Sequence, residues 1–153
     1  FASVAGLKLT HVPYKGSGQI MGDLIGGQVV MLFDQPVSSM PHVKAGKLRV
    51  LGISSGKRFV TMQDIPTIAE QGLAGFEANA WLGMLLPAGT PRETVERLAV
   101  ALNKIVRTPA TQQKFMAVGT LPRPSTTVEF DTFLRAEYAR WGKTIAASGI
   151  KAE

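Results

Sequence analysis

Lys8 to Val12 is rich in β-formers and stops at Pro13, which predicts a strand. Ser17 to Ile25 then sets Ile20, Met21, Leu24 and Ile25 on one helical face, with Gly26 and Gly27 as the stop. Gln28 to Phe33 is almost continuously apolar, as a strand buried on both faces of a parallel sheet would be. Val37 to Ala45 predicts a short helix that begins near Ser38 or Ser39, holds Pro41 in its first turn and is closed by Gly46. Lys47 to Ile53 is a third strand. The alternation β-α-β-α-β predicts an α/β layer with a parallel sheet.

The second half has a different pattern. Pro66 to Glu70 reads as a short helix stopped by Gly72, after a polar loop from Ser54 to Asp64. Phe76 to Pro87 is extended and apolar, long for one strand of a small sheet and suited to crossing between lobes. Thr90-Pro91-Arg92-Glu93 has the spacing of a capping box, with Pro91 as the first helical residue. The helix that follows carries Val95, Leu98, Ala99, Leu102, Ile105 and Val106 on one face and ends near Arg107. A short helix restarts at Thr108-Pro109 and closes at Gly119; Pro122 and Pro124 frame a stiff connector. Thr126 to Glu129 caps a last helix bearing Phe130, Phe133, Leu134, Tyr138 and Trp141, which Gly149 ends. The opening Phe1 to Gly6 reads as the last turn of a helix with Gly6 past its end, so the chain is expected to start mid-fold.

Composition narrows this picture modestly. The 153 residues suffice for one domain or two small lobes, and 45% hydrophobic with 18% charged residues is a globular balance. No cysteine is present, which excludes disulfides and thiolate metal sites. The net charge of +6 favours anionic ligands, but the basic residues are scattered and no basic stripe alternates with aromatics, so no nucleic-acid partner is expected. His11 and His42 lack a ligand companion four residues away, so no metal is expected. Ser17, Ser38 and Ser39 lack a nucleophile-elbow context, and Glu93 and Glu129 read as capping residues, so no catalytic residue is assigned and the chain is read as not an enzyme.

The candidate chemistry lies between His11 and Asp34. Tyr14, Lys15, Gly16 and Ser17 form a glycine turn at the C-terminal end of a strand and open a helix. Backbone N–H groups at such a helix start can hold a carboxylate, helped by the Tyr14 or Ser17 hydroxyl. The plain alternative is a surface turn whose glycines are chosen for positive φ. Lys15 is either a carboxylate partner or a solvated side chain. Asp34, next to Gln35, binds a ligand hydroxyl or amine, or else caps the following turn. Trp81 is a cleft wall or core. A second class of reading is a nucleotide-binding α/β enzyme that uses the Gly16–Gly22 turn and Asp34. Its glycines are one residue too far apart and Asp34 arrives early for a dinucleotide fold. A third is a helical interaction fragment.

Six ordered motifs carry a family resemblance: His11-Val12-Pro13-Tyr14-Lys15-Gly16, Asp23 through Val29, Phe33-Asp34, His42 through Arg49, Asp64 through Glu70, and Pro87 through Pro91. Together they resemble the tripartite tricarboxylate transporter substrate-binding proteins, also called Bug or TctC-like receptors, over essentially the whole chain. The resemblance implies a periplasmic receptor of the type II binding-protein class, with two α/β lobes joined by crossover strands. In that class a small carboxylate is held between the lobes and delivered to a membrane permease, without a cofactor. It implies a ligand site that includes Tyr14, Lys15, Gly16, Ser17, Asp34, Gln35 and Trp81. Family members are about twice this length. The resemblance therefore implies that residues 1–75 are part of lobe 2, 76–87 a crossover or hinge, and 88–153 helices completing lobe 1. The N-terminal half, with the signal peptide, would lie outside this chain as a missing partner.

Overall fold

In the computed structural model, residues 1–148 are described. Among them are six helices: α1 (Ala2–Ala5), α2 (Ser17–Ile25), α3 (Pro36–Lys44), α4 (Arg92–Val106), α5 (Pro109–Ala117) and α6 (Thr127–Ser148). None is long and apolar enough to cross a membrane. Two compact units are present. The first comprises Phe1–Trp81 with Ala117–Gly119; the second comprises Leu82–Met116 and the chain from Thr120 onward.

Glycine stops in the first unit follow the sequence reading. Gly6 closes α1 in the left-handed region (φ 65°), and the Leu7 N–H donates to the Ala2 carbonyl at 2.9 Å. After α2, Gly27 takes φ 78° and the Gln28 N–H reaches back to the Asp23 carbonyl at 2.8 Å. Gly46 does the same after α3, with the Lys47 N–H on the His42 carbonyl at 2.9 Å. These six-to-one bonds satisfy carbonyls that would otherwise end the helix unpaired.

The expected strands are the principal correction. Lys8–Val12, Gln28–Phe33 and Lys47–Ile53 form no ladder among the described residues; one parallel bridge joins Ile53 to Thr67. A strand gains its backbone bonds only from a neighbour, and these segments do not pair with one another. Their apolar side chains remain open to solvent, Val30 at 93% and Leu51 at 56%. α3 also differs: it starts at Pro36, not near Ser38, because extended Gln35 (φ −82°, ψ 143°) leads directly into a proline suited to the first helical position. Pro41 therefore lies inside the helix, where it has no N–H to give to Val37.

The core of this unit is small: Met21, Phe76 and Thr67 are its buried residues. Phe1 meets Phe33 at 5.4 Å between ring centroids and Phe76 edge-on at 5.8 Å. Pro66 to Glu70 forms turns instead of the expected helix. A reciprocal box holds them: the Thr67 N–H donates to Glu70 Oε2 (2.7 Å), and the Glu70 N–H donates to Thr67 Oγ1 (3.1 Å). Both edges of Ile53 bind this turn, its N–H donating to Pro66 O and its carbonyl accepting from the Ile68 N–H, each at 2.9 Å.

Arg58 Nε also donates to Glu70 Oε2, at 3.0 Å. The Thr67 N–H and then Arg58 hold the Glu70 carboxyl below its ordinary 4.5. The folded state thus binds this proton less readily than the unfolded one. The resulting stability is complete above about pH 4.5 and is lost as pH falls through the folded value. Thermal unfolding should therefore show an acid slope below about pH 4.5 that Glu70→Gln flattens; an unchanged slope in the variant would contradict this.

In the second unit, the box Thr126–Glu129 opens α6 as its spacing predicts, with the Thr126 N–H on Glu129 Oε2 (2.8 Å) and the Glu129 N–H on Thr126 Oγ1 (3.1 Å). The box expected at Thr90–Glu93 does not form. Gly89 at φ 87° turns the chain so that both the Thr90 N–H and its hydroxyl donate to the Pro87 carbonyl, at 3.2 and 2.8 Å, and Pro91 takes the cap position of α4. Asn103 Nδ2 links α4 to the connector before α6, donating to Ala99 O and Ser125 O at 2.8 Å each. Gly83 lies directly under Phe130, where a Cβ would come within 2.3 Å of the ring. The expected stop at Gly149 lies outside the described residues.

Candidate functional site

The candidate site is built on the starts of α2 and α3. Gly16 precedes α2 in extended conformation (φ 164°, ψ 167°), and no side chain caps the helix. The first-turn N–H groups of Ser17, Gly18 and Gln19 therefore have no intrahelical acceptor. A Cβ on Gly16 or Gly18 would meet nothing within 4 Å, and neither residue is in the left-handed region. The turn thus does not need glycine for positive φ; glycine there keeps the approach to the amides clear. Lys15 and Gly16 are exposed.

Asp34 joins the two helix starts. Its Oδ1 accepts from the Ser17 hydroxyl at 2.8 Å, and its Oδ2 lies against the Ser38 hydroxyl. One carboxylate thereby ties the first residue of α2 to the first turn of α3, and those two helices pack together. Its negative charge also sits by two helix N-termini, where the dipoles favour it. Gln35 caps α3 through its backbone: its carbonyl lies 2.9 Å from Ser38 Oγ and 3.2 Å from Ser39 Oγ. The local capping that the sequence offers for Asp34 is present, since both carboxylate oxygens accept hydroxyls of this chain.

Tyr14 does not present a free hydroxyl proton. Its Oη donates to Asp23 Oδ2 at 2.7 Å, across α2. This bond first, then burial and the Asp23 charge, raises the phenol above its ordinary range. Tyr14 therefore holds the turn against α2, and toward any further partner its oxygen can only accept. Trp81 lies in the extended segment that ends the first unit, 38% exposed. Sequence reasoning assigned no site role to Asp23 or Ser38. Their signal was weak: an acidic residue late in a short helix, and a serine four residues after Asp34.

Among the described residues no cluster of three or more histidine, aspartate or glutamate side chains is arranged to hold a metal. What the arrangement offers is a set of uncapped backbone N–H donors on an open turn, braced by Tyr14–Asp23 on one side and by Ser17–Asp34–Ser38 on the other.

Comparison with known proteins places these features in a family. The model of the tripartite tricarboxylate transporter family receptors matches residues 1–150. A Pseudomonas sp. (strain P51) relative, the UPF0065 protein in the tcbD-tcbE intergenic region, is 35% identical over 99% of this chain and 45% of its own length. Protein BugT of Bordetella pertussis is 31% identical over 95% of this chain and 45% of its own. Among solved structures, R. palustris Rpa4515 with adipate superposes with a TM-score of 0.87 at 32% identity, over 97% of this chain and 50% of that one. MatC from Rhodopseudomonas palustris with bound malate gives 0.79 at 29% identity, over 94% and 50%. The chain spans about half the length of these relatives, and its fold is that of half of a periplasmic binding protein. On the family-model match and on these identities, the chain belongs to the tripartite tricarboxylate transporter receptor family.

Proposed function

We propose that this chain is part of a periplasmic solute receptor that binds a small carboxylate and delivers it to membrane permease subunits, without a cofactor and without catalysing a reaction. The observation that carries this reading is the uncapped first turn of α2, exposed at the Tyr14–Ser17 turn, in a chain of the receptor family. Relatives solved with adipate and with malate support the ligand class. In this reading the amides of Ser17, Gly18 and Gln19 receive one carboxylate, directly or through water. Lys15 adds positive charge at the rim. Tyr14 and Ser17, whose protons are given to Asp23 and Asp34, brace the turn, and their oxygens accept from a bridging water or a ligand hydroxyl and not from the carboxylate itself. Gln35 and Asp34 hold the start of α3 beside the site, and Trp81 forms part of a wall. Residues 1–75 serve as part of one lobe, 76–87 as the crossover, and 88–153 as helices of the other; the second wall comes from the N-terminal half of a receptor-length polypeptide.

Gly16→Val tests the site. The extended backbone at Gly16 accepts valine without strain, so the added side chain acts by covering the amides. In a receptor-length polypeptide containing this sequence, calorimetric titration with adipate and malate should show binding of at least one, weakened at least about tenfold by Gly16→Val, the loss of one charge-assisted hydrogen bond. Equal affinity in the variant would contradict the site.

A further inference from the structure

We propose that the end of α5 is a buttress for the candidate site: Gly119, lying on Pro36, positions the start of α3 and couples occupancy of the Tyr14–Ser17 turn to α5. This rests on the receptor reading and adds a second, remote element that sets its affinity. The need for a support lies in α3 itself. It has nine residues, too few for a helix to hold alone. Pro41 interrupts its backbone bonds, and among its described residues none is buried. The ties from its first turn to α2 run through hydroxyl bonds to Asp34, from Ser38 on one side and Ser17 on the other.

The support comes from a part of the chain remote in sequence. α5 belongs to the second unit up to Met116, but Ala117–Gly119 belong to the first. The helix end is tight. The Thr120 N–H donates to the Phe115 carbonyl at 2.9 Å, the six-to-one bond of a glycine-ended helix, with Gly119 at φ 75°. A Cβ built on Gly119 would stand 2.6 Å from Pro36 Cβ and 2.7 Å from its Cγ, so the backbone of the helix end lies directly on the proline. Pro36 opens α3 midway between Asp34 and Ser38. Continuous contact therefore runs from Ser17 through Asp34 and the start of α3 to Gly119 and α5. A carboxylate on the first-turn amides of α2 orders Ser17, and with it Asp34 and Pro36. By linkage, whatever orders Pro36 favours the carboxylate by the same factor. Gly119 and Pro36 are positioning residues: neither needs to touch a ligand, and both act through Asp34.

A receptor-length polypeptide containing this sequence, titrated with adipate and with malate, tests both directions. In the wild type, saturation with the acid that binds should slow exchange of the Thr120 amide at least about fivefold more than that of the Phe130 amide, which is bonded to the Thr126 carbonyl at the start of α6. Pro36→Gly removes the ring and the Cβ from under Gly119. It should weaken binding about 3- to 10-fold, as when the competent arrangement falls to about a third to a tenth of the population, and should abolish the extra slowing at Thr120. A merely structural loss lowers the unfolding midpoint but leaves the affinity of the folded protein, measured well below that midpoint, unchanged. Binding that slows Thr120 and Phe130 equally, or a Pro36→Gly variant with wild-type affinity, overturns the buttress and leaves the receptor reading intact. A wild type that binds neither acid overturns that reading and the buttress with it.

Discussion

Asp34→Ala should destabilise the first unit by about 2–3 kcal/mol. A hydrogen bond to a charged group contributes about 1.5–3 kcal/mol net, and Asp34 accepts two, from Ser17 and Ser38. The side chain is half-buried, so the two do not count in full. Its interaction with the starts of α2 and α3 adds some tenths of a kcal/mol. Removal leaves two serine hydroxyls that turn to water. Asp34→Asn keeps one acceptor oxygen and should cost about half as much. Urea unfolding gives the totals, and hydrogen exchange of the α2 amides gives the local figure. A loss under about 0.5 kcal/mol for Asp34→Ala would mean that the clamp does not hold the helices.

Gly119→Val has the larger expected cost, about 3–4 kcal/mol, from two separate causes. Gly119 has φ 75°, a conformation that a β-branched residue adopts only with strain. A Cβ there would also stand 2.6 Å from Pro36 Cβ and 2.7 Å from its Cγ, and a proline ring cannot turn aside. The causes can be separated. Gly72 has φ 109° with nothing within 4 Å of a built Cβ, so Gly72→Ala should show the backbone part alone, about 1 kcal/mol. Pairing Gly119→Ala with Pro36→Gly, which removes both the Cβ and the ring, and comparing it with Pro36→Gly alone should recover the steric part and leave the backbone part. If Gly119→Val is as mild as Gly72→Ala, the 117–119 segment does not lie on Pro36.

The helices and their ends were readable because their causes are local. Gly6, Gly27, Gly46 and Gly119 occupy the left-handed positions that their places in the sequence suggest, and Thr126 with Glu129 forms its box from spacing alone. Thr90 shows the limit of such spacing. The same pattern stands before α4, but Gly89 bends the chain first and the Thr90 donors go to Pro87. Pro36 outcompeted Ser38 as the start of α3 because a proline after an extended residue is already shaped for a first turn.

Strands are not local. The apolar runs at Gln28–Phe33 and Lys47–Ile53 show what those residues would bury, not which backbone would pair with them. The site was legible in part for the same reason. The Tyr14–Ser17 turn and Asp34 stand out as polar breaks beside apolar runs. The direction of their protons was not visible, because Tyr14–Asp23 and Ser17–Asp34 join residues 9 and 17 positions apart. That direction changes the chemistry: two hydroxyls that look free to donate to a ligand give their protons to carboxylates of this chain.

Amide chemical-shift mapping by NMR tests the central claim most directly. A receptor-length polypeptide containing this sequence, labelled with nitrogen-15, would be titrated with adipate and with malate. The account predicts that one of them saturates the protein and that the Ser17, Gly18 and Gln19 amides shift most, downfield as they take up a carboxylate bond. Saturable binding that leaves these three amides in place would contradict it.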